Sequence, residues 1–210
     1  RAALFALLRA VLQLGALSLV LTGILKDPVW VGIGLGVMFA AAVGTAARRS
    51  RSPLLPLAAS MLIGPLVVMT IVFLTGAIEF SPRYVLAIGG IVIGNTMTIA
   101  ILTQRVFRTS VLDHWDEVEG WLALGATPRQ STLDLGRRAI HTALLPSIDQ
   151  TRTTGIVVLP GAFVGAIFAG ASPLEAGRFQ VVVLACILAA GVLTSVTLAR
   201  LSGSVAERAT

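Results

Sequence analysis

Tyr84–Thr103 reads YVLAIGGIVIGNTMTIAILT, an unbroken run without a charged residue. A helix rises about 1.5 Å per residue, so a run of about 20 residues crosses the ~30 Å hydrocarbon core of a bilayer. Membrane strands are about ten residues long and alternate in polarity. This run is continuous, so it reads as a transmembrane helix. Outward from it lie five more stretches of the same kind: Ala2–Leu25 (with Arg9 and Gln13 inside), Pro28–Ala47, Leu57–Ile78, Gly155–Ala171 (interrupted by Pro160) and Phe179–Ala199. The expected fold is all-α, a polytopic bundle of six spans. Composition agrees, because 56% of the 210 residues are hydrophobic and 12% are charged. A soluble domain carries about 25% charged residues. A soluble enzyme, a disordered chain and a nucleic-acid binder are thereby disfavoured.

Charge placement gives the orientation. Of 16 Lys and Arg, only Lys26, Arg83 and Arg178 lie in connections 1–2, 3–4 and 5–6. The rest lie at the N-terminus, in connections 2–3 and 4–5, or at the C-terminal end. The positive-inside rule then places both termini of the chain in the cytoplasm. The net charge of +6 records topology, and no nucleic-acid partner is implied. The single cysteine, Cys186, excludes an intrachain disulfide. Residues 1–103 are expected to hold spans 1–4, residues 104–154 a cytoplasmic hairpin, and residues 155–210 spans 5–6 with a short tail, all in one integrated membrane domain.

Within residues 104–154, Val111, Leu112, Trp115, Val118 and Leu122 recur at helical spacing and form an apolar stripe. Gly125 suits a helix C-terminal cap. Thr127 suits the next N-cap, with Pro128 at the first helical position and Gln130 completing a capping box. A second helix is expected through Leu133, Arg137, Ile140 and Leu144 as far as Pro146. Such a hairpin is either a solvated juxtamembrane element or a docking element whose stripe enters a partner's groove. Trp115 and Trp121 fit a partner or the membrane interface equally well. Asp113, Asp116, Glu117 and Glu119 with His114 are either a solvated face or oxygen ligands for a hard cation.

Polar groups inside apolar spans are costly and face a bundle interior or a water-filled path. Arg9 and Gln13 share one helix face and are candidates for packing, snorkelling or the path. Asn95 and Met97 sit mid-span, where interhelical packing and substrate contact compete. Glu79, at the outer mouth, is a candidate cation ligand or an acid paired with Arg83 or Lys26. Pro160, with Gly155 and Gly161, marks the fifth span as a hinge candidate. Asp149 and Arg152 are either a surface pair or a link from hairpin to hinge. Gly32/Gly36, Gly90/Gly94 and Gly161/Gly165 have the spacing that lets helix backbones approach. No phosphate-binding loop and no catalytic constellation occurs, so any ATP would be bound by another chain.

Glu119 to Pro128, followed by Ala143-Leu144-Leu145-Pro146, resembles the cytoplasmic coupling loop of ABC-transporter permeases. Arg9 to Gln13, Gly76 to Phe80, Gly94 to Met97, Asp149, Gly155, Leu159-Pro160-Gly161 and Ile167 to Gly170 extend the resemblance to the FetB-type permease family, which includes bacterial iron exporters and plant aluminium-tolerance proteins. The resemblance implies a permease working as a pair with cytoplasmic ATPases, which would hold ATP and Mg. This chain itself would bind no cofactor. It also implies one further N-terminal span, a bacterial inner-membrane location and export of a metal ion such as iron. The implied coupling residues are Val111, Trp115, Val118, Glu119, Leu122, Gly125, Ala126, Thr127, Pro128 and Pro146. In bacterial iron-export relatives a Met pair follows the Pro-Gly of the fifth span, and here those positions are Ala162 and Phe163. A non-transport membrane subunit, a carrier of small organic solutes and an ion-driven carrier are the competing readings.

Overall fold

The computed structural model describes Leu8, Val11, Leu12, Gly15 and residues 28–202. Arg9 and Gln13, with most of the expected span Ala2–Leu25, lie outside the described residues. Between Pro28 and Ser202 the chain forms eight helices: α1 (Pro28–Ser50), α2 (Leu54–Leu74), α3 (Pro82–Asp113), α4 (Trp115–Ala123), α5 (Pro128–Ser131), α6 (Leu133–Thr153), α7 (Gly161–Phe168) and α8 (Pro173–Ser202). Four of them, α1, α2, α3 and α8, are long and apolar enough to cross a membrane.

α8 forms the centre of the bundle. Val183, Cys186, Ile187 and Ala190 on α8 pack with Val68 and Val72 of α2 and Ile88 and Val92 of α3. Nearer the other end, Leu198 joins Ala42, Val43 and Ala46 of α1, Leu57 and Met61 of α2, and Ile93, Ala100 and Ile101 of α3. In lipid there is little hydrophobic drive between helices, so close packing by small residues holds such a bundle. Of the four-spaced glycine pairs, only Gly90 lies close to a neighbour, the Met38 side chain. A side chain added at Gly32, Gly36, Gly94, Gly161 or Gly165 would meet nothing. The closest approaches are at Gly64, which faces the Ala190 carbonyl and the Thr194 hydroxyl, at Gly191, which faces Ile99 and Leu144, and at Gly89, which faces the Leu35 side chain.

Several polar side chains of α3 satisfy themselves locally. Thr96 and Thr103 donate to the Val92 and Ile99 carbonyls at 3.0 and 2.8 Å, and Asn95 donates to the Ile91 carbonyl at 2.9 Å. Returning a proton one turn back removes the cost of an unpaired donor in hydrocarbon.

Three expectations are corrected. α3 does not stop at Thr103 but continues to Asp113. α6 does not end at Pro146, which lies inside it. The expected span Gly155–Ala171 is not one helix: a turn occupies residues 154–160, and α7 supplies only eight helical residues. Gly155 and Gly170 adopt φ of +85° and +95°, in the left-handed region that glycine enters at no steric cost. Pro160 is extended and N-caps α7. Eight helical residues span about 12 Å, less than half of a bilayer core.

Residues 104–154, expected as a cytoplasmic helical hairpin, include a long helix that packs back along α3 and α8. On α6, Leu135 and Ala139 pack with Phe107 and Val111 of α3. Further along it, Ala143 and Leu144 pack with Ile99, and Leu144 reaches the face of Gly191 on α8. As α6 residue numbers rise, those of its neighbours on α3 and α8 fall, so α6 is antiparallel to both.

Candidate functional site

The turn between α4 and α5 forms as the residues dictate. Gly125, at φ +87°, lets its own N–H reach the Leu122 carbonyl while the Ala126 N–H reaches the Trp121 carbonyl, both at 3.0 Å. These are the two bonds of a Schellman cap. Thr127 and Gln130 then form a reciprocal capping box, with the Gln130 side chain accepting from the Thr127 N–H at 2.9 Å and Pro128 at the helix start. The apolar stripe before the turn is used inside the molecule. His114 separates α3 from α4 and splits the stripe between them. Val111 and Val118 are buried against Phe107, Leu135 and Ala139, and Trp115 and Leu122 cover that cluster. Those four side chains are therefore not a free docking face. The most exposed large apolar side chains at the turn are Trp121 and Leu124, 52% and 82% exposed. They border a cavity of about 520 Å³ with Gly125, Ala126, Leu133 and the exposed Glu117. Glu119 is exposed beside them. The tip is thus an exposed apolar knob on a capped, rigid turn. Pro146, expected at the hairpin end, lies well beyond it within α6.

At the far end of the bundle a second cavity, of about 770 Å³, opens between the start of α3, α7 and the start of α8. Glu79 and Arg83 line it, with Ala162 and Ala166 of α7 and Glu175 of α8. Ser172 caps α8, its backbone N–H donating to the Glu175 carboxylate at 2.9 Å. Glu79 forms no ion pair with Arg83 among the described residues, where the two ion pairs are Asp134–Arg137 and Asp149–Arg152. Among the described residues no group of three or more His, Cys, Asp or Glu side chains is placed to hold a metal. Neither Glu79 nor the acids around His114 belong to such a group among the described residues. Instead, the His114 Nδ1 lies 3.0 Å from the Ser110 carbonyl.

Other candidates are dispersed. Asn95 is half-buried mid-span, whereas Met97 packs against the α1–α2 cluster and serves the core. Asp149 and Arg152 form an i,i+3 pair at 3.7 Å in the last turns of α6, both exposed. Gly155, Pro160 and Gly161 define the break between α6 and α7. The Thr153 carbonyl there accepts from Ile156, Val157 and Val158. Sequence reasoning passed over Gln180, whose buried Oε1 has no hydrogen-bond partner among the described residues. It also passed over the exposed polar face of α6. Its signal was present in His141, Thr142, Asp149, Gln150 and Arg152, but the absence of a long apolar run hid it.

Comparison with known proteins agrees with this architecture. Residues 1–205 match the family described as Uncharacterised protein family (UPF0014). The chain is similar to UPF0014 membrane protein STAR2 of Oryza sativa subsp. japonica, 38% identical over 200 residues, which cover 92% of this chain and 70% of that protein. It is similar to Protein ALUMINUM SENSITIVE 3 of Arabidopsis thaliana, 36% identical over 199 residues, 92% of this chain and 73% of that one. It is also similar to Probable iron export permease protein FetB of Escherichia coli (strain K12), 34% identical over 134 residues, 64% of this chain and 52% of that one. No solved structure matches. With a membrane-crossing bundle and similarity along its length to these proteins, the chain belongs to the UPF0014 family of membrane proteins.

Proposed function

We propose that this chain is the membrane-spanning permease subunit of an ABC transporter that exports a metal ion such as iron. It would work as a pair of copies, with a separate cytoplasmic ATPase binding ATP and Mg. The observation that carries the reading is the rigid α4–α5 tip. Its exposed Trp121 and Leu124 form a compact apolar knob of the kind a partner's groove accepts. The metal substrate is supported by the name of one relative, a probable iron export permease.

In this scheme six spans cross the bacterial inner membrane, with both termini of the chain in the cytoplasm. Movement imposed on the tip passes to α3 and α6, because Val111, Val118, Leu135 and Ala139 clamp the tip to both helices. α6 delivers it to the Gly155–Gly161 break, where two arrangements of α7 would open one side of the bundle or the other. A cation leaving by the outer cavity would pass Glu79. Asn95, and Arg9 and Gln13 of the first span, are the other proposed contacts on its way.

Co-purification with the partner ATPase tests the docking. Trp121→Ala combined with Leu124→Asp is expected to cut recovered ATPase at least tenfold, while the amount of inserted permease stays unchanged. Full recovery would sink the docking claim. ATP-driven efflux of iron from vesicles holding the complex tests the substrate, and stimulation of ATP hydrolysis by organic solutes alone would overturn the metal reading.

A further inference from the structure

α6 carries a feature that neither hydropathy nor the permease scheme accounts for. It is 21 residues long, about 31 Å at helical rise, and it lies against two apolar spans. Its depth follows from its neighbours. Leu144 packs with Ile99, four residues inside the Thr103 end of the uncharged run on α3, or about 6 Å into the hydrocarbon. Ile148 packs in the same cluster. Asp149 is five residues beyond Leu144, about 7.5 Å farther, which places it about 14 Å deep in a core ~30 Å thick. Beyond Thr153 the turn closes on itself through Gly155 N–H to the Val158 carbonyl, at 2.9 Å. α7 then lines the outer cavity beside Ala87 and Ile91 of α3. Together, α6, the turn and α7 complete one passage from the cytoplasmic tip to the outer cavity.

The exposed residues of the deeper half of α6 are His141, Thr142, Leu145, Pro146, Asp149, Gln150, Arg152 and Thr153, of which six are polar. At similar depth the exposed side chains of the other spans are mostly apolar, such as Leu62 and Leu66 on α2 and Val181 and Val192 on α8, and the polar ones, Thr70 on α2 and Thr98 on α3, carry no charge. Hydrocarbon cannot cover the α6 face, because intramembrane ionisable groups turn to a water-filled cavity or to one another. Asp149 and Arg152 meet at 3.7 Å, yet both remain well exposed, so the pair leaves most of its hydrogen-bonding capacity open.

We propose that α6 is the fifth membrane crossing and that its His141–Thr153 face is the wall of a water-filled path for hydrated ions. What travels along the path rests on the transporter reading; the wetness of the face does not.

Accessibility of introduced thiols tests it in the full-length chain in membranes, with Cys186→Ala as the background. Thr142→Cys, Gln150→Cys and Thr153→Cys are expected to react with a membrane-impermeant methanethiosulfonate at least tenfold faster than Leu62→Cys and Val181→Cys. The Thr→Cys changes are nearly isosteric, so folding is preserved at two of the three positions even if Gln150→Cys fails. Rates no faster than the lipid-facing controls overturn the proposal. So does protection of all three positions by a disulfide between two copies, which would make the face a packing surface. Labelling is read without ATP or ATPase. Fast labelling in a chain that shows no ATP-driven efflux would therefore remove the transporter reading and leave the wet face standing.

Discussion

Gly64 and Gly191 show how single residues set the spacing of this bundle. A Cβ at Gly191 would lie 2.5 Å from the Ile99 Cδ1 and 3.2 Å from the Leu144 Cδ2, both ends of side chains that can rotate aside. A Cβ at Gly64 would lie 2.5 Å from the Ala190 carbonyl oxygen, which belongs to the backbone and cannot yield without moving α8. Overpacking costs about 1–3 kcal/mol. Gly64→Ala is therefore expected at the upper end and Gly191→Ala at the lower end, with Gly36→Ala near zero because its surroundings in this chain are open. Thermal unfolding in detergent measures the order, and equal losses at Gly64 and Gly36 would refute it. Gly125 is a different case. Its φ of +87° penalises any Cβ by about 1 kcal/mol, and the Schellman bonds depend on it. This conformation was readable from the residues, because a glycine three residues before a Pro-led capping box has few alternatives. The contacts of Gly64 were not, because they depend on which helix lies opposite.

At the scale of elements, α4 divides its two tryptophans between roles. Trp115 covers the cluster of Phe107, Val118 and Leu135, whereas Trp121 stands out at the tip. Trp115→Ala is expected to destabilise the fold by about 3 kcal/mol, a little less than the loss of a fully buried aromatic. Trp121→Ala should leave the melting temperature within a degree or two and weaken only partner binding. A thermal scan beside a binding assay separates the two roles, and a matched loss of stability at both would contradict the assignment. α6 gives no hydropathy signal because hydropathy weighs a whole window, while only the face toward α3 and α8 is apolar. Its exposed ion pairs add little, since such pairs are worth about 0–1 kcal/mol. The helix is held by Leu135, Ala139, Ala143 and Leu144.

For the molecule as a whole, the two ends differ in chemistry. Ser81 and Arg83 border the cavity beside α7, while Arg105 lies beside α1, donating to the Arg49 carbonyl at 3.2 Å and countering the negative end of that helix. With the basic residues inside, Ser81→Cys in a Cys186→Ala chain is expected to label from outside intact cells. Arg129→Cys should label only after the membrane is opened. The reverse pattern would invert the topology. The sequence by itself determined the membrane environment, four of the spans, the residues of the capped turn and the likeness to FetB-type permeases. These follow from local causes: run length, charge count, and caps that form between residues three or four apart. Only the tertiary structure decided that the Val111–Leu122 stripe is buried, that the Gly155–Ala171 stretch is a turn and a half-helix, and that α6 lies along the spans. Those outcomes depend on which faces meet, and a helix with one apolar and one polar face shows its place only beside the neighbours that cover it.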